Sequence, residues 1–359
     1  MKKIISILGA RPQFVKAAVL SRIIMEKNEM EEVIIHTGQH FDDNMSGIFF
    51  TEMEIPHPKY NLAINGLQHG AMTGQMLEKI EFILIREKPD LVVVYGDTNS
   101  TLAGALAAKK LGIRVAHVEA GLRSFNMKMP EEVNRILTDR VSDLLLCPTD
   151  SAVRNLEGEG FESFESKVVL CGDIMKDSVS YYGKFSSDKS AIIKELKLEE
   201  NNFVLATIHR QENTEDLDKL KSILQGLNDI SDDSKVVLPI HPRTKAVIDK
   251  FGLKFKGLMI APVGYFDMLE LLKHCTMVLT DSGGLQKEAF FNQKPCIIIR
   301  EETEWLELVE HDYAKIVGSD HAKMKLAYQG FKENRPVYNK NLYGENVGQS
   351  IYQEILKIL

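Results

Sequence analysis

The chain has 359 residues, of which 44% are apolar and 26% charged, and it carries a net charge of −7. That length is too great for one comfortable core and fits two domains of ordinary size, while the composition excludes wholesale disorder. An acidic balance also argues against general nucleic-acid binding, which needs a basic surplus against phosphates, but leaves room for a nucleotide held at a local positive site.

In chain order, short β-rich runs alternate with amphipathic helical segments. Residues 4–8 read as a strand that passes through Gly9-Ala10-Arg11-Pro12 into a helix from about 13 to 27, and 32–37 as a second strand. A long helix is predicted over 67–88, then a buried strand over 91–95 ending in Gly96-Asp97-Thr98. Residues 101–111 form an Ala-rich helix able to pack closely on a sheet, and 115–118 a strand that ends in Glu119-Ala120-Gly121. A helix over 131–141 and a strand over 144–147 follow. The stretch 181–202 is polar and helical, consistent with a connection, after which the pattern restarts with strands at 203–208, 235–240, 258–261, 277–280 and 296–299. The last segment, 346–359, is an amphipathic helix.

Continuous apolar strands separated by helices predict parallel sheets covered on both faces. The expected fold is therefore α/β: two Rossmann-like doubly wound units, with the boundary near residues 170–180 and a ligand cleft lined by strand C-terminal ends. No apolar stretch approaches the ~20 residues needed to span a bilayer. The start, Met1-Lys2-Lys3, runs into a strand rather than a signal-peptide core, so the expectation is a soluble cytoplasmic protein with no membrane partner. Cys147, Cys171, Cys275 and Cys296 are scattered without metal-ligand spacing and read as buried, reduced thiols.

The unusual polar residues fall at strand ends. Arg11 and Lys16 stand beside a helix N-terminus, an anion-binding arrangement unless both are simply solvated. Asp97 follows an apolar strand and is held by rigid structure; a cap for the next helix is the plainer reading. Glu119, after a buried strand and before Ala-Gly, is hard to explain as a cap, and burial would favour its neutral form and suit it to proton transfer. Glu131 opens a helix beside Glu132, an ordinary place for a carboxylate. His209 and His241 end adjacent strands of the second half, each close to an arginine.

The apolar run at 277–280 empties into Asp281-Ser282-Gly283-Gly284 and a helix start. Its glycines let the backbone approach a ligand, and its first amides suit a diphosphate, with a Ser282 helix cap as the plain alternative. Glu288, one turn on, is placed to accept hydrogen bonds from a ribose. None of the metal-protease, Walker or dinucleotide-binding signatures is present, so neither a metal nor another cofactor is required.

Gly9-Ala10-Arg11-Pro12, Gly96-Asp97-Thr98, His117-Val118-Glu119-Ala120-Gly121-Leu122-Arg123, Pro130-Glu131-Glu132 with Asn134-Arg135, His209-Arg210 and Asp281-Ser282-Gly283-Gly284-Leu285-Gln286 occur in order over nearly the whole chain. Together they resemble the non-hydrolysing UDP-N-acetylglucosamine 2-epimerases. The resemblance implies GT-B architecture, with an N-terminal domain over 1–172 joined by the helix at 346–359, a UDP-binding domain over 173–345, and the active site in the cleft between them. It implies a UDP-sugar substrate, a homodimer, and inversion at C2 through elimination and re-addition of UDP. Asp97, Glu119, Glu131 and His209 would be catalytic. Arg11, Lys16, Arg135, His241, Ser282, Gly283, Gly284 and Glu288 would bind substrate.

The chain departs from many members at Ala10, Gln13, Gln211 and Trp305, the last standing where they carry arginine. The family's allosteric pattern is matched at Gln39 but not at Asp42 or Gln75. The Gly-Ala-Arg-Pro-Gln-Phe and Thr-Glu-Trp variants look closer to the branch acting on UDP-2,3-diacetamido-2,3-dideoxy-glucuronate, used for surface polysaccharide. A GT-B glycosyltransferase with a UDP-sugar donor, a hydrolysing 2-epimerase, and a non-catalytic nucleotide-sugar binder are the competing readings.

Overall fold

The computed structural model describes residues 1–39, 50, 53, 55–198 and 202–359. The chain divides into two compact units, Met1–Ser178 with Asn341–Leu359, and Val179–Lys340.

In the first unit, β1 (Lys2–Leu8) leads to α1 (Arg11–Lys27), then β2 (Met30–His36) and β3 (Tyr60–Asn61). Next come α2 (His69–Glu87), β4 (Leu91–Tyr95), α3 (Asn99–Lys110), β5 (Arg114–Val118) and α4 (Pro130–Val141). β6 (Leu144–Cys147), α5 (Asp150–Gly158), β7 (Lys167–Leu170) and the start of α6 (Ile174–Tyr182) complete the run. Among the described residues the strands lie in the order β3-β2-β1-β4-β5-β6-β7, every neighbouring pair parallel. β4 is entirely buried, which is why it reads as a continuous apolar run. β7 gave no such signal: it is an edge strand whose side chains are partly or fully exposed. α3 packs close on the sheet as its alanines predict; a Cβ on Gly104 would lie 2.6 Å from the Ile7 side chain, so enlarging it would cost about 1–3 kcal/mol.

The second unit restarts with two short helices, α7 (Ser186–Lys189) and α8 (Ile192–Glu195), then β8 (Phe203–Thr207), α9 (Gln211–Thr214) and α10 (Leu217–Ser231). β9 (Lys235–Pro239), α11 (Pro242–Lys250), β10 (Leu258–Ile260), α12 (Tyr265–His274) and β11 (Met277–Thr280) follow. The unit ends through α13 (Gly283–Phe291), β12 (Cys296–Ile298), α14 (Leu306–Glu310), β13 (Ala314–Ile316) and α15 (His321–Glu333). Its parallel sheet has the order β10-β9-β8-β11-β12-β13. The segment expected as a mere connection is part of this body. α7 and α8 pack on α12, where Ser186 Oγ donates to Glu270 at 2.6 Å and Ser190 Oγ to Asp267 at 2.6 Å.

The last helix, α16 (Val347–Ile358), belongs to the first unit and packs on α1. Its buried stripe of Val347, Ile351, Tyr352 and Ile355 follows helical spacing, and Tyr352 Oη donates to Glu29 at 2.7 Å.

Both sheets reverse their winding between their first and fourth strands, at β1/β4 and at β8/β11. In open α/β sheets such a switch point leaves a crevice at the strand carboxyl ends. Among the described residues no helix is long and apolar enough to cross a membrane.

Candidate functional site

At the β1/β4 switch, the organising residue is Gln13, in the first turn of α1 and 1% exposed. Its Oε1 accepts from the amides of Gly9 (2.7 Å) and Ala10 (3.0 Å), and its Nε2 donates to the Tyr95 carbonyl (2.7 Å), Thr98 Oγ1 (3.0 Å) and Thr101 Oγ1 (2.9 Å). One amide side chain thus joins the loop that presents Arg11 to the turn that presents Asp97. Gly9 is required there because a Cβ would fall 2.1 Å from Ser100 Oγ.

Asp97 is not the cap of α3. Thr98 is, accepting the Thr101 amide on its hydroxyl. The Asp97 carboxylate instead pairs with Arg135 of α4, and the neighbouring Asn134 donates to the Asp97 carbonyl at 3.0 Å. With its side chain 28% accessible, Asp97 can be reached from solvent. Arg135, 4% exposed, is spent on holding Asp97 and lies 3.2 Å from Glu132.

Glu119 follows β5 with φ of 72°, a left-handed conformation uncommon for a residue with a side chain and worth about 1–3 kcal/mol of strain. The amides of Glu119 and Ala120 both donate to the Leu146 carbonyl at 3.1 Å, which holds the bend. Lys16 reaches the Glu119 carboxylate at 2.5 Å, with side-chain exposures of 6% and 11%. The Arg11/Lys16 anion site is therefore redrawn: the Lys16 charge compensates a buried carboxylate, and Arg11, half-buried at the start of α1, remains at the strand end.

Glu131 is exposed on the first turn of α4 and, with Asp97 and Lys16, lines a cavity of about 220 Å³. Drug-sized ligands occupy about 300–1,000 Å³, so this cavity suits one part of a nucleotide sugar. Its neighbour Glu132 is fully buried and accepts from the amides of Ser124 and Phe125, each at 2.9 Å, pinning the loop between Glu119 and Glu131. Gln39, His69, Asn99 and Asn134 also line the cavity. Sequence reasoning passed over His69 and Asn99 and named Asn134 only within a family motif; all three sit in helices. Gln39 accepts from the Ser100 amide (3.1 Å) and hydroxyl (2.7 Å), Gln75 is exposed on α2, and Asp42 lies outside the described residues.

At the β8/β11 switch, His209 Nδ1 lies 2.7 Å from Asp281 Oδ1. Asp281 is fully buried and also accepts from the amides of His209 (3.0 Å) and Arg210 (3.1 Å) and from Asn213 Nδ2 (3.1 Å). Burial pushes its carboxyl up, but the His209 contact and these donors together hold it below the usual carboxylate range. His209, whose side chain is 55% exposed, is thereby held through its Nδ1. The sequence named Asp281 only as part of a turn; its histidine partner is 72 residues away.

Ser282 does cap α13, taking the Leu285 amide at 3.4 Å. The glycines keep their interest. Neither Gly283 nor Gly284 takes a left-handed backbone, and among the described residues a Cβ on them would meet nothing closer than 3.7 Å outside their own helix backbone and chain neighbours. Helical glycine costs roughly 0.5–1 kcal/mol against alanine, and packing does not explain that cost. Amides of two glycines in the first turn of a helix suit an anion.

Glu288 is largely buried in the same helix. Arg300 forms a two-pronged pair with Glu304 (2.9 and 3.0 Å) near Gly283, and Lys287 places its ammonium 3.8 Å from the centroid of Trp305. His241 is exposed and caps α11, its Nδ1 accepting the Arg243 amide at 3.2 Å.

Two doubly wound units, each with ionisable groups gathered at its switch point, define an α/β protein of the GT-B class. The sequence profile described as UDP-N-acetylglucosamine 2-epimerase matches residues 22–357. The UDP-2,3-diacetamido-2,3-dideoxy-D-glucuronate 2-epimerase of Pseudomonas aeruginosa is 54% identical over 318 residues, 88% of each chain. A crystal structure of the Methanocaldococcus jannaschii UDP-GlcNAc 2-epimerase with UDP-GlcNAc and UDP superposes with a TM-score of 0.90 at 41% identity over 99% of both chains. The UDP-GlcNAc 2-epimerase of Neisseria meningitidis bound to UDP-GlcNAc gives 0.90 at 28% identity, covering 99% of this chain and 100% of that one. The chain belongs to the UDP-N-acetylglucosamine 2-epimerase family, a family of isomerases.

Proposed function

We propose that the protein is a non-hydrolysing 2-epimerase of a UDP-linked 2-acetamido sugar, with the 2,3-diacetamido uronate as its substrate. The observation that carries this is the set of three carboxylates, Asp97, Glu119 and Glu131, on the strand-end loops and the α4 start of the first unit, two of them opening on one cavity. The 54% identity to the diacetamido uronate epimerase supports the choice of sugar.

The C2 proton of such a sugar is weakly acidic, so cleavage of the C1–O bond leads and leaves positive charge at C1. UDP departs with the bonding pair, a carboxylate takes the C2 proton, and a glycal remains. UDP then re-adds at C1 while a proton is delivered to the opposite face of C2. The leaving diphosphate calls for donors, for which the second unit offers the α13 amides and His209; the proton transfers call for carboxylates near C1 and C2, which the first unit offers. A glycosyltransferase needs the first set but not the second. By family likeness the reading extends to a cytoplasmic homodimer that supplies a surface-polysaccharide precursor.

NMR in D₂O, with UDP-GlcNAc and the diacetamido uronate offered side by side, tests it. The epimer should carry one deuterium at C2, and the uronate should turn over faster. An unlabelled epimer rules out elimination, free UDP released as fast as product indicates hydrolysis, and a requirement for an acceptor sugar indicates a transferase.

A further inference from the structure

His117 lies fully buried in β5, two residues before Glu119, and plays no part in the chemistry above. Its Nε2 is 2.7 Å from the Gly96 carbonyl and its Nδ1 is 2.7 Å from Asp139 Oδ1. Burial pushes the Asp139 carboxyl up, but His117 and Arg123 outweigh it and hold the group below the usual carboxylate range. The two ring nitrogens therefore face one carbonyl and one carboxylate, which fixes the ring between them. The other oxygen of Asp139 accepts from the Gly121 amide (3.1 Å) and Arg123 Nη1 (2.7 Å), and Arg123 pairs in turn with Glu159 at 2.6 and 3.0 Å. Arg123 lies against both Asp139 and Glu159, so the buried carboxylate has a cation beside it and its burial is tolerable.

The contacts of this cluster are specific. Gly96 immediately precedes Asp97, Gly121 is two residues past Glu119, and Asp139 sits on α4 one turn after Arg135, the residue that grips Asp97. Glu119 takes positive φ, so its turn is not held by backbone preference alone. We infer that His117 and Asp139 are positioning residues, a buried pair that fixes from behind the two turns carrying Asp97 and Glu119 and the helix carrying Glu131. This rests on the epimerase reading and deepens it: a displacement near 1 Å at such groups costs on the order of 100-fold in rate.

The test compares His117→Asn, Asp139→Asn and the double variant His117→Gln/Asp139→Asn in the full-length protein. In the double variant the new side-chain amide at position 139 can donate to the side-chain carbonyl introduced at position 117. The amide introduced at 117 still donates to the Gly96 carbonyl, so the chain of bonds is restored without charge. Each single variant should lose kcat on the order of 100-fold, with KM and the dissociation constant for UDP moving much less, and with C2 deuterium exchange falling in parallel. The double variant should recover about tenfold or more over the better single one. Wild-type protein that incorporates no deuterium overturns the epimerase reading itself. Wild-type turnover with single variants still near its kcat overturns the positioning role alone, as does a folded double variant that recovers nothing. If neither the single nor the double variants fold, as judged by near-ultraviolet circular dichroism, the pair is structural only and the inference fails.

Discussion

Lys16 and Glu119, 103 positions apart in the chain, meet at 2.5 Å with both side chains almost wholly removed from solvent. Each explains the other. An ammonium at that depth needs an anion, and a carboxylate on a left-handed turn at the end of a buried strand needs a cation. Replacing Lys16 by methionine should therefore destabilise the first unit by about 3–5 kcal/mol, the cost of breaking a buried pair by removing one partner. Adding Glu119→Gln should return part of that loss. Denaturant unfolding of the two variants checks it, and a single variant as stable as wild type would show that the pair carries little of the folding energy.

Asp281 should matter to turnover although it does not face solvent. Asparagine there can either keep its oxygen on the His209 and Arg210 amides and turn its NH2 toward His209 Nδ1, or give Nδ1 a weaker, neutral acceptor and lose those backbone contacts. Turnover should fall between about 10²- and 10⁴-fold, the upper figure being the known cost of the same change behind a catalytic imidazole. Steady-state kinetics of Asp281→Asn with either UDP-sugar reads this directly, and a kcat within a few-fold of wild type removes His209 from the reaction.

Gln13 should not tolerate glutamate, even though the two side chains have the same shape. An ionised carboxylate accepts but cannot donate, so the Tyr95 carbonyl would keep only the Thr101 hydroxyl at 2.7 Å, and the amide donor it now shares with the Thr98 and Thr101 hydroxyls would be lost. Losing that donor and burying a charge in its place costs about 1–3 kcal/mol or more. The variant should unfold at lower denaturant and turn over more slowly, since the loop of Arg11 and the turn of Asp97 are no longer joined. An unchanged midpoint would contradict this.

Acid sensitivity should trace in part to Glu87, whose carboxyl is held down to about 2 by Lys59 first, then Tyr60 and Lys3. These contacts tie the last turn of α2 to β1 and β3, with Lys59 at 2.8 Å and Lys3 at 3.0 Å. The folded value lies below the unfolded one, so the stabilisation is complete above the unfolded pKa of about 4.3 and is lost as pH falls toward 2. Unfolding free energies of wild type and Glu87→Gln should differ by a constant amount above pH 5 and converge below it. Parallel curves down to pH 2 would count against the assignment.

The legible parts of this molecule were those with a one-dimensional signature. β4 and β11 announce themselves as unbroken apolar runs because they are covered on both faces. Asp97, Glu119 and His209 stood out because a polar residue directly after such a run must emerge at the sheet's carboxyl edge. β7 and β13 had no signature, being edge strands of four and three residues with partly exposed side chains. Lys16 looked like an open cation because sequence shows a charge but not what faces it. Asp97 read as a plausible cap for the helix after β4, and only the structure gives that role to Thr98 instead.

The sequence by itself determined the alternation of strand and helix, the restart of that pattern midway, and the motifs that mark the family, all properties of neighbours along the chain. Tertiary structure alone decided the pairings: Lys16 with Glu119, Arg135 with Asp97, Asp281 with His209, and His117 with Gly96 and Asp139. The physical reason is that the charge state and reach of a buried ionisable group depend on what lies within a few ångströms of it. In a doubly wound sheet those neighbours come from strands and helices tens of residues away.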